Sequence, residues 1–139
     1  MRRFTAFLAV LTALIIGSVL LLAPGAQADT GPSTTRVVTA DRAAQGERVV
    51  VTLSATCPAG ATIKVVVTVT AANDNRIAQG ARQKKVDCAG TAQPIELRVE
   101  HNPIGAIFIV GAATATTVRT VCDDSGCDTI SFDETIRIS

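Results

Sequence analysis

The chain has 139 residues, of which 47% are hydrophobic and only 3% aromatic, and its formal net charge is +1. A chain of this length forms about one domain, and its near-neutral charge makes it a poor candidate for general nucleic-acid binding. Because it contains neither Trp nor Tyr, it lacks the aromatic rings on which sugars and bases most often stack.

Residues 1–28 have the pattern of an export signal. A basic start, Met1-Arg2-Arg3, precedes an almost unbroken apolar run over residues 4–22, and Ala26-Gln27-Ala28 has the small-x-small form that signal peptidases accept. We expect cleavage after Ala28, which would remove Arg2 and Arg3 and leave 11 basic against 12 acidic residues in a secreted, extracellular chain without stable membrane insertion. The apolar run is also about long enough to cross a bilayer, so a retained anchor is the alternative.

Residues 29–35 contain Gly31-Pro32-Ser33 and few apolar side chains, and they predict a flexible leader. The domain itself is expected over residues 36–139. Within it, apolar residues recur at every second position, for example at Val49, Val51 and Leu53, and this is the periodicity of a β strand. Turn-forming residues interrupt the pattern at near-regular spacing and leave no room for an amphipathic helix.

Seven strands are predicted from this alternation. Their expected ranges are 36–40, 47–56, 62–71, 82–88, 95–100, 111–122 and 129–138. Short β-branched strands separated by regular turns over about 100 residues favour an all-β domain, namely an immunoglobulin-like two-sheet antiparallel sandwich.

Four cysteines in an exported chain are normally oxidised in pairs, and three pairings are open. Cys122 and Cys127 enclose four turn-forming residues at the tip of a predicted hairpin, whereas Cys57 and Cys88 each end a strand just before a Gly-containing turn. This spacing favours Cys57 with Cys88 and Cys122 with Cys127. The disulfide that closes the longer loop should stabilise the fold by roughly 3 to 4 kcal/mol, and the disulfide that closes the shorter loop by less.

A basic cluster precedes Cys88 and consists of Arg76, Arg82, Lys84 and Lys85. Edge strands commonly carry lysine because its charge prevents pairing with other chains, and this accounts for the cluster. The alternative is contact with an acidic wall polymer or an anionic protein patch.

The segment 95–100 alternates strictly between apolar and charged residues. The apolar members are Ile95, Leu97 and Val99, and the charged members are Glu96, Arg98 and Glu100. A strand of this pattern buries one face, so we expect the apolar set in the core and the charged set in solvent.

Catalytic, metal-binding and cofactor-binding residues are not predicted. His101 is the single histidine of the chain, so it would have to serve any Ser/His/Asp or Cys/His arrangement, and a typical zinc site cannot be built once the thiols are oxidised. The C-terminal part is acidic, with Asp123, Asp124, Asp128, Asp133 and Glu134. Their spacing matches no calcium loop, which favours solvated carboxylates. We therefore expect a protein that is not an enzyme and has no cofactor.

Residues 103–110, Pro-Ile-Gly-Ala-Ile-Phe-Ile-Val, form a continuous apolar stretch. In a sandwich this stretch is expected to run from a loop into a central strand and to be buried on both sides of a bend. If Ile104, Ile107 and Phe108 were exposed instead, they would form an apolar patch of the kind that marks a partner or ligand surface.

Three sequence features resemble those of small exported actinobacterial β-sandwich proteins that have no assigned activity. They are the Cys-Pro-Ala-Gly turn at 57–60, the Val-Asp-Cys-x-Gly strand end at 86–90 and the Cys-x4-Cys hairpin at 122–127. This resemblance implies the fold and export. The hairpin is also similar to that of the neocarzinostatin-like apoproteins, which are secreted immunoglobulin-like sandwiches with two disulfides. Their other disulfide closes a much shorter loop, and their ligand-cleft aromatic residues have no counterpart here.

We hypothesise a secreted, non-enzymatic binding or interaction module that acts as a monomer. Its binding loops are expected at the ends of the sandwich that carry the disulfides. Its partner would be an extracellular protein, a wall polymer or a small molecule. Its candidate binding surface comprises Ile104, Ile107, Phe108, Asp123 and Asp124. The alternative is a small-molecule (chromophore) carrier of neocarzinostatin type, which needs a concave apolar cleft beside Phe108 and the Cys122–Cys127 hairpin. A third hypothesis is a secreted protease inhibitor, which needs a protruding rigid loop beside a disulfide.

Overall fold

The computed structural model describes residues 33–139, so the predicted export signal and most of the predicted leader lie outside the described residues. Within that range the chain forms seven strands, which are β1 (Thr34–Ala43), β2 (Arg48–Thr56), β3 (Thr62–Asn73), β4 (Arg76–Asp87), β5 (Gln93–Glu100), β6 (Gly111–Asp123) and β7 (Gly126–Ile138). A single 3-10 turn, Ala44–Gly46, joins β1 to β2. Residues 33–139 include no helix of sufficient length and hydropathy to span a bilayer.

The strands form two antiparallel sheets. One has three strands in the order β1-β2-β5, and the other has four in the order β4-β3-β6-β7. The all-β, two-sheet prediction is therefore confirmed. The alternation of apolar and polar residues explains the arrangement. Each strand has one apolar face that must be removed from water, and the two sheets pack with these faces together.

The core lies between the two sheets and consists mainly of aliphatic side chains. Val49, Val51 and Leu53 of β2 face Ile63 and Val65 of β3, and all five are fully buried. The prediction for β5 is also confirmed: its three apolar residues are buried and its three charged residues are exposed. In the absence of Trp and Tyr, small and β-branched residues fill the volume between the sheets.

Both predicted disulfides are present and lie at the same end of the sandwich. Cys57 bonds to Cys88 and closes a separation of 31 residues, while Cys122 bonds to Cys127 across directly opposed positions of β6 and β7. The first pair is almost completely buried and the second is largely accessible to solvent. The first disulfide thus belongs to the core and the second to a surface turn.

Antiparallel pairing places each connection at one of two poles. At the disulfide pole lie Ser33, the loops 57–61 and 88–92 and the β6–β7 turn at 124–125. At the opposite pole, which we call the apolar pole, lie the 44–46 connection, the β3–β4 turn at 74–75, the loop 101–110 and Ser139.

The two lateral sides of the sandwich are closed differently. On one side β7 meets β1, where the backbone N–H of Val37 donates to the Glu134 carboxylate at 3.1 Å. On the other side β4 lies against β5, and Lys84 donates from Nζ to the backbone oxygen of Glu96 at 3.2 Å. Strands β4 and β5 are both edge strands, and this lysine links their backbones at one point.

Two segments differ from the sequence-based expectation. Strand β4 begins at Arg76, six residues before the predicted start, because its inward positions are occupied by small residues that a search for bulky alternation does not register. Residues 103–110 run from a loop into the central strand β6, as predicted, but they are not buried throughout, since four of their aliphatic side chains are exposed. Their backbone N–H groups bond within the loop, to Ile77 at the start of β4 and to the 44–46 connection, and the Pro103 and Gly105 positions favour this bent path.

Candidate functional site

The loop 101–110 at the apolar pole is held in place by backbone hydrogen bonds to strand β4 and to the 44–46 connection. The Ala106 N–H donates to the Ile77 oxygen at 3.1 Å, and the Phe108 N–H donates to the Gly46 oxygen at 2.8 Å. Within the loop, the Gly105 N–H donates to the backbone oxygen of Asn102 at 2.8 Å. The loop therefore has a defined backbone path although it has no regular secondary structure.

Two side chains of the β3–β4 turn add further bonds to this loop. Asn73 donates from Nδ2 to the Ile107 oxygen at 3.0 Å. Arg76 donates from Nη2 to the oxygens of Ile104 and Gly105, at 3.2 and 3.0 Å. Turn and loop thus form one connected surface at this pole.

Phe108 is the anchor of the loop. Its side chain is fully buried in the core, and the preceding buried residue, Ala106, lies on the same side of the loop. Beneath it, Gly46 has a φ of +98°, and a Cβ at that position would lie 2.2 Å from the Phe108 oxygen. Only glycine fits this close approach with a left-handed backbone.

The neighbouring aliphatic side chains are exposed, so the patch that the sequence left as an alternative exists in part. Ile104 is 89% exposed, Ile77 62% and Val110 52%, and Ile107 and Ile109 are exposed to a smaller extent. We call these five residues the apolar patch. Exposed aliphatic side chains grouped on a rigid loop are a typical feature of interaction surfaces.

A cavity of about 440 Å³ adjoins the apolar patch. The β3–β4 turn and its flanking residues, Asn73 and Arg76, form the polar wall of the cavity. Gly105, Ala106 and Ile107 form the other wall. One wall thus offers amide, carboxylate and guanidinium groups and the other offers small and aliphatic residues, an arrangement that can receive one side chain of a partner.

The disulfide pole carries another cavity, of about 280 Å³. Arg119, which is almost completely buried, lies in its wall and donates to the backbone oxygen of Ser33. Asp123 and Asp128 line the same cavity. Charged groups of both signs therefore line a cavity at each pole.

Asp123 organises the β6–β7 turn. Its Oδ1 accepts from the hydroxyl of Ser125 and from the backbone N–H groups of Ser125 and Gly126, at 2.8 and 3.2 Å for the latter two. These bonds, and foremost that from the Ser125 hydroxyl, lower the pKa of the Asp123 carboxyl. The carboxylate therefore has a structural role within the turn.

The five residues of the sequence-based candidate surface do not form one site. Ile104 and Ile107 lie at the apolar pole, whereas Asp123 and Asp124 lie in the turn at the disulfide pole. Phe108 is buried and cannot contact a partner in this conformation. These residues could not be assigned to one surface correctly from the sequence, because hydrophobicity and charge along the chain do not indicate at which pole each connection lies.

Sequence reasoning also missed three members of the apolar patch. Ile77 precedes the predicted start of the fourth strand, and Ile109 and Val110 belonged to a stretch that was expected to be buried. The signal that could have identified the loop is the Pro103-Ile104-Gly105 sequence, which combines two turn-forming residues with an aliphatic residue between them.

The two rival hypotheses require features that these residues do not form. Carriage of a small molecule was tied to a cleft beside both Phe108 and the Cys122–Cys127 hairpin, but Phe108 is buried and lies at the pole opposite the hairpin. Protease inhibition needs a protruding loop, whereas the hairpin turns through Asp124 and Ser125 and is held by Asp123.

Comparison with known proteins adds little. No family model and no curated protein matches the chain. Among solved structures, the chain is weakly similar to macromomycin, a protein of the neocarzinostatin family, with 16% identity, a TM-score of 0.31, and coverage of 77% of this chain and 99% of that chain. A similarity at this level supports no inference about function.

Proposed function

We propose that the chain is a secreted, non-enzymatic interaction module whose recognition surface is the apolar pole. The observation that carries the proposal is the apolar patch itself, in which Ile104 is 89% exposed at the apex of a loop fixed by hydrogen bonds. The two disulfides and the export-like N-terminal sequence support an oxidising, extracellular environment. This moves the binding surface from the disulfide pole to the opposite end of the sandwich.

The energetics favour a binding role for this loop. Complete burial of one isoleucine side chain contributes about 1.5 to 3 kcal/mol, so an exposed group of five is a substantial reserve of binding free energy. The bonds from Asn73 and Arg76 already fix the loop, and a fixed loop loses little conformational entropy when a partner binds.

The partner that fits this site is a protein with an apolar protrusion surrounded by polar groups. Its apolar side chain would lie on the exposed Ile104 and Ile107, beside the 440 Å³ cavity. Its polar rim would meet Asp74 and Asn75 of the β3–β4 turn, which line the same cavity. A central apolar contact with a polar rim is the common organisation of protein interfaces.

The proposal can be tested by affinity capture from the producer's envelope and culture medium with three immobilised forms of the secreted protein. These are the wild type, Ile104→Glu, and Val38→Glu as a matched control, because Val38 is also an exposed aliphatic residue (56%) but lies on β1. A protein retained by the wild type and the control but not by Ile104→Glu would then be purified and its Kd measured against each form.

We expect Ile104→Glu to raise the Kd at least about tenfold, because a charge in the centre of an apolar contact must be desolvated without a partner. Val38→Glu should leave the Kd within about twofold. Equal losses in both variants, or no loss in either, would place recognition elsewhere and contradict the proposal. A small molecule that copurifies with all three forms would instead support the carrier hypothesis.

A further inference from the structure

The basic cluster that precedes Cys88 in the sequence is divided among three places in the fold. Arg76 bonds to the loop at the apolar pole, and Lys85 lies on the outer face of β4. Arg82 and Lys84 alternate in phase with the buried Ala78, so they extend from the face of β4 that turns toward the other sheet, yet both are exposed. The two sheets therefore leave this side of the sandwich open to solvent.

A cleft of about 440 Å³ lies there, between the edges of β4 and β5. Its lining residues are Arg82, Gln83 and Lys84 of β4 and Glu96, Leu97 and Arg98 of β5. The two strands meet on either side of the cleft: Gly80 lies against the Glu100 oxygen, and Gln93 donates from Nε2 to the Asp87 oxygen at 3.0 Å. The volume of the cleft falls within the range of ligand sites, about 300 to 1,000 Å³.

The cleft is positively charged in a chain whose formal net charge is only +1. Its lining holds three cationic side chains and one anionic side chain, Glu96, which pairs with Arg98 at 3.4 Å. Among residues 33–139, neither Arg82 nor Lys84 forms an ion pair. Over the whole of β4 and β5, five cationic residues stand against three anionic ones. The charge of the cleft therefore suits an anionic ligand.

The backbone of β4 has open hydrogen-bonding groups along the cleft. The oxygens of Ile77 and Gln79 accept from N–H groups of the loop at the apolar pole, so the odd-numbered residues of β4 direct their backbone groups away from β3. The next three odd-numbered residues are Ala81, Gln83 and Lys85. Because β4 is the edge of its sheet, no strand within residues 33–139 pairs with them there. Each offers one donor and one acceptor.

These open groups distinguish between two kinds of anionic ligand. An extended polypeptide has both N–H and C=O groups and can bond to the donors and the acceptors of a strand edge. A polyphosphate chain offers acceptors only, so it would leave the oxygens of β4 without partners. The edge therefore favours an acidic peptide.

Lys84 is placed to exchange one acceptor for another. It donates from Nζ to the backbone oxygen of Glu96 at 3.2 Å. A carboxylate accepts a stronger hydrogen bond from an ammonium group than a neutral carbonyl does. An acidic ligand would thus draw Lys84 away from β5 and widen the access to the cleft.

We propose that the cleft between β4 and β5 is a second binding site, which takes an extended acidic peptide of another protein as an added strand on the edge of β4. The backbone of the peptide pairs with Ala81, Gln83 and Lys85. Acidic side chains at every second position of the peptide lie beside Arg82 and Lys84, because opposed residues of paired strands share one face. The site does not depend on the partner proposed for the apolar pole.

Fluorescence anisotropy with a labelled peptide of repeating Glu-Thr sequence tests the proposal. Its Kd should rise with salt concentration. A Lys-Thr peptide of equal length should bind at least about tenfold more weakly. A fully N-methylated Glu-Thr peptide keeps the charges but lacks N–H groups, and it should also lose at least about tenfold. Inorganic polyphosphate should compete poorly at equal charge concentration.

Variants of the secreted protein locate the site. Lys84→Glu should raise the Kd of the Glu-Thr peptide at least about tenfold. Arg137→Glu is the matched control, since it makes the same change of charge at an exposed residue of β7, the opposite edge of the same sheet, and it should change the Kd less than about threefold. Ile104→Glu should bind the peptide as the wild type does, which keeps this test separate from that of the apolar pole. Far-ultraviolet circular dichroism checks that each variant is folded.

Amide hydrogen exchange measured by nuclear magnetic resonance tests the added strand itself. The N–H groups of Ala81, Gln83 and Lys85 should become protected when the Glu-Thr peptide binds, whereas the even-numbered amides of β4, which already bond to β3, should change little. No binding of the peptide, equal binding of its N-methylated form, effective competition by polyphosphate, or no new protection at Gln83 would each overturn the proposal.

Discussion

At the scale of single residues, Leu97 and Arg98 show how the side of the strand on which a residue lies determines its contribution to the free energy of unfolding. Leu97 is buried between the sheets, whereas Arg98 lies on the outer face with an exposed ion pair to Glu96 at 3.4 Å. Leu97→Ala should lower the free energy of unfolding by about 2 to 5 kcal/mol through lost contacts and a residual cavity. Arg98→Ala should change it by no more than about 0.5 kcal/mol. Urea unfolding with the disulfides intact measures both, and a larger loss for Arg98→Ala would contradict the strand register.

Glu134 gives one side of the sandwich a dependence on pH. Burial raises the pKa of this carboxyl, an effect that its bond from the Val37 N–H and the nearby Arg36 oppose. Because the folded pKa lies above the ordinary value of 4.5, the folded chain holds more protons than the unfolded chain just above that pH. Stability should therefore fall as the pH rises through this window.

The variant Glu134→Gln should remove that slope. An amide oxygen can still accept from the Val37 N–H, whereas the side chain no longer ionises. We expect the free energy of unfolding of the variant to vary less than that of the wild type between about pH 4 and 7. Identical pH profiles for the two proteins would exclude Glu134 as the source.

At the scale of elements, the packing of β4 against β5 depends on one residue without a side chain. A Cβ at Gly80 would lie 2.0 Å from the backbone oxygen of Glu100. Gly80→Ala should therefore force the two edges apart and cost about 1 to 3 kcal/mol of unfolding free energy. Ala81→Ser, on the exposed face of the same strand, should cost no more than about 0.5 kcal/mol. Thermal unfolding of the two variants provides the comparison.

The two disulfides should contribute unequally. In the chain-entropy account, a closed loop of 31 residues is worth about 3 to 4 kcal/mol and one of 5 residues about 2 kcal/mol. Replacing Cys57 and Cys88 with Ala should therefore lower stability more than replacing Cys122 and Cys127, and it also removes two buried side chains. Guanidinium unfolding of the two double variants decides between them. A larger loss for the hairpin pair would mean that the turn, and not the long loop, limits unfolding.

Strands with large apolar residues at alternate positions could be predicted from the sequence, whereas the conformation of the connections could not. The strand Gln93–Glu100 was predicted to within two residues because Ile95, Leu97 and Val99 leave one arrangement that buries them. The first half of β4 was missed because Ala78 and Gly80 face inward and carry almost no hydrophobic signal. The candidate site was predicted only for Ile104 and Ile107, since hydropathy alone cannot show that Phe108 turns inward between the exposed Ile107 and Ile109.

At the scale of the whole molecule, the chain enters the sandwich at one pole and leaves it at the other. Strand β1 begins at the disulfide pole and β7 ends at the apolar pole, and the two strands lie in different sheets. Tension between these ends would act along the strand axes, so that the ladders of β1 on β2 and of β7 on β6 are loaded in shear. Many hydrogen bonds must then break together, whereas a strand peeled from its end loses them one by one. Residues 34–138 should therefore resist tension along the strands more strongly than the peeling of one strand.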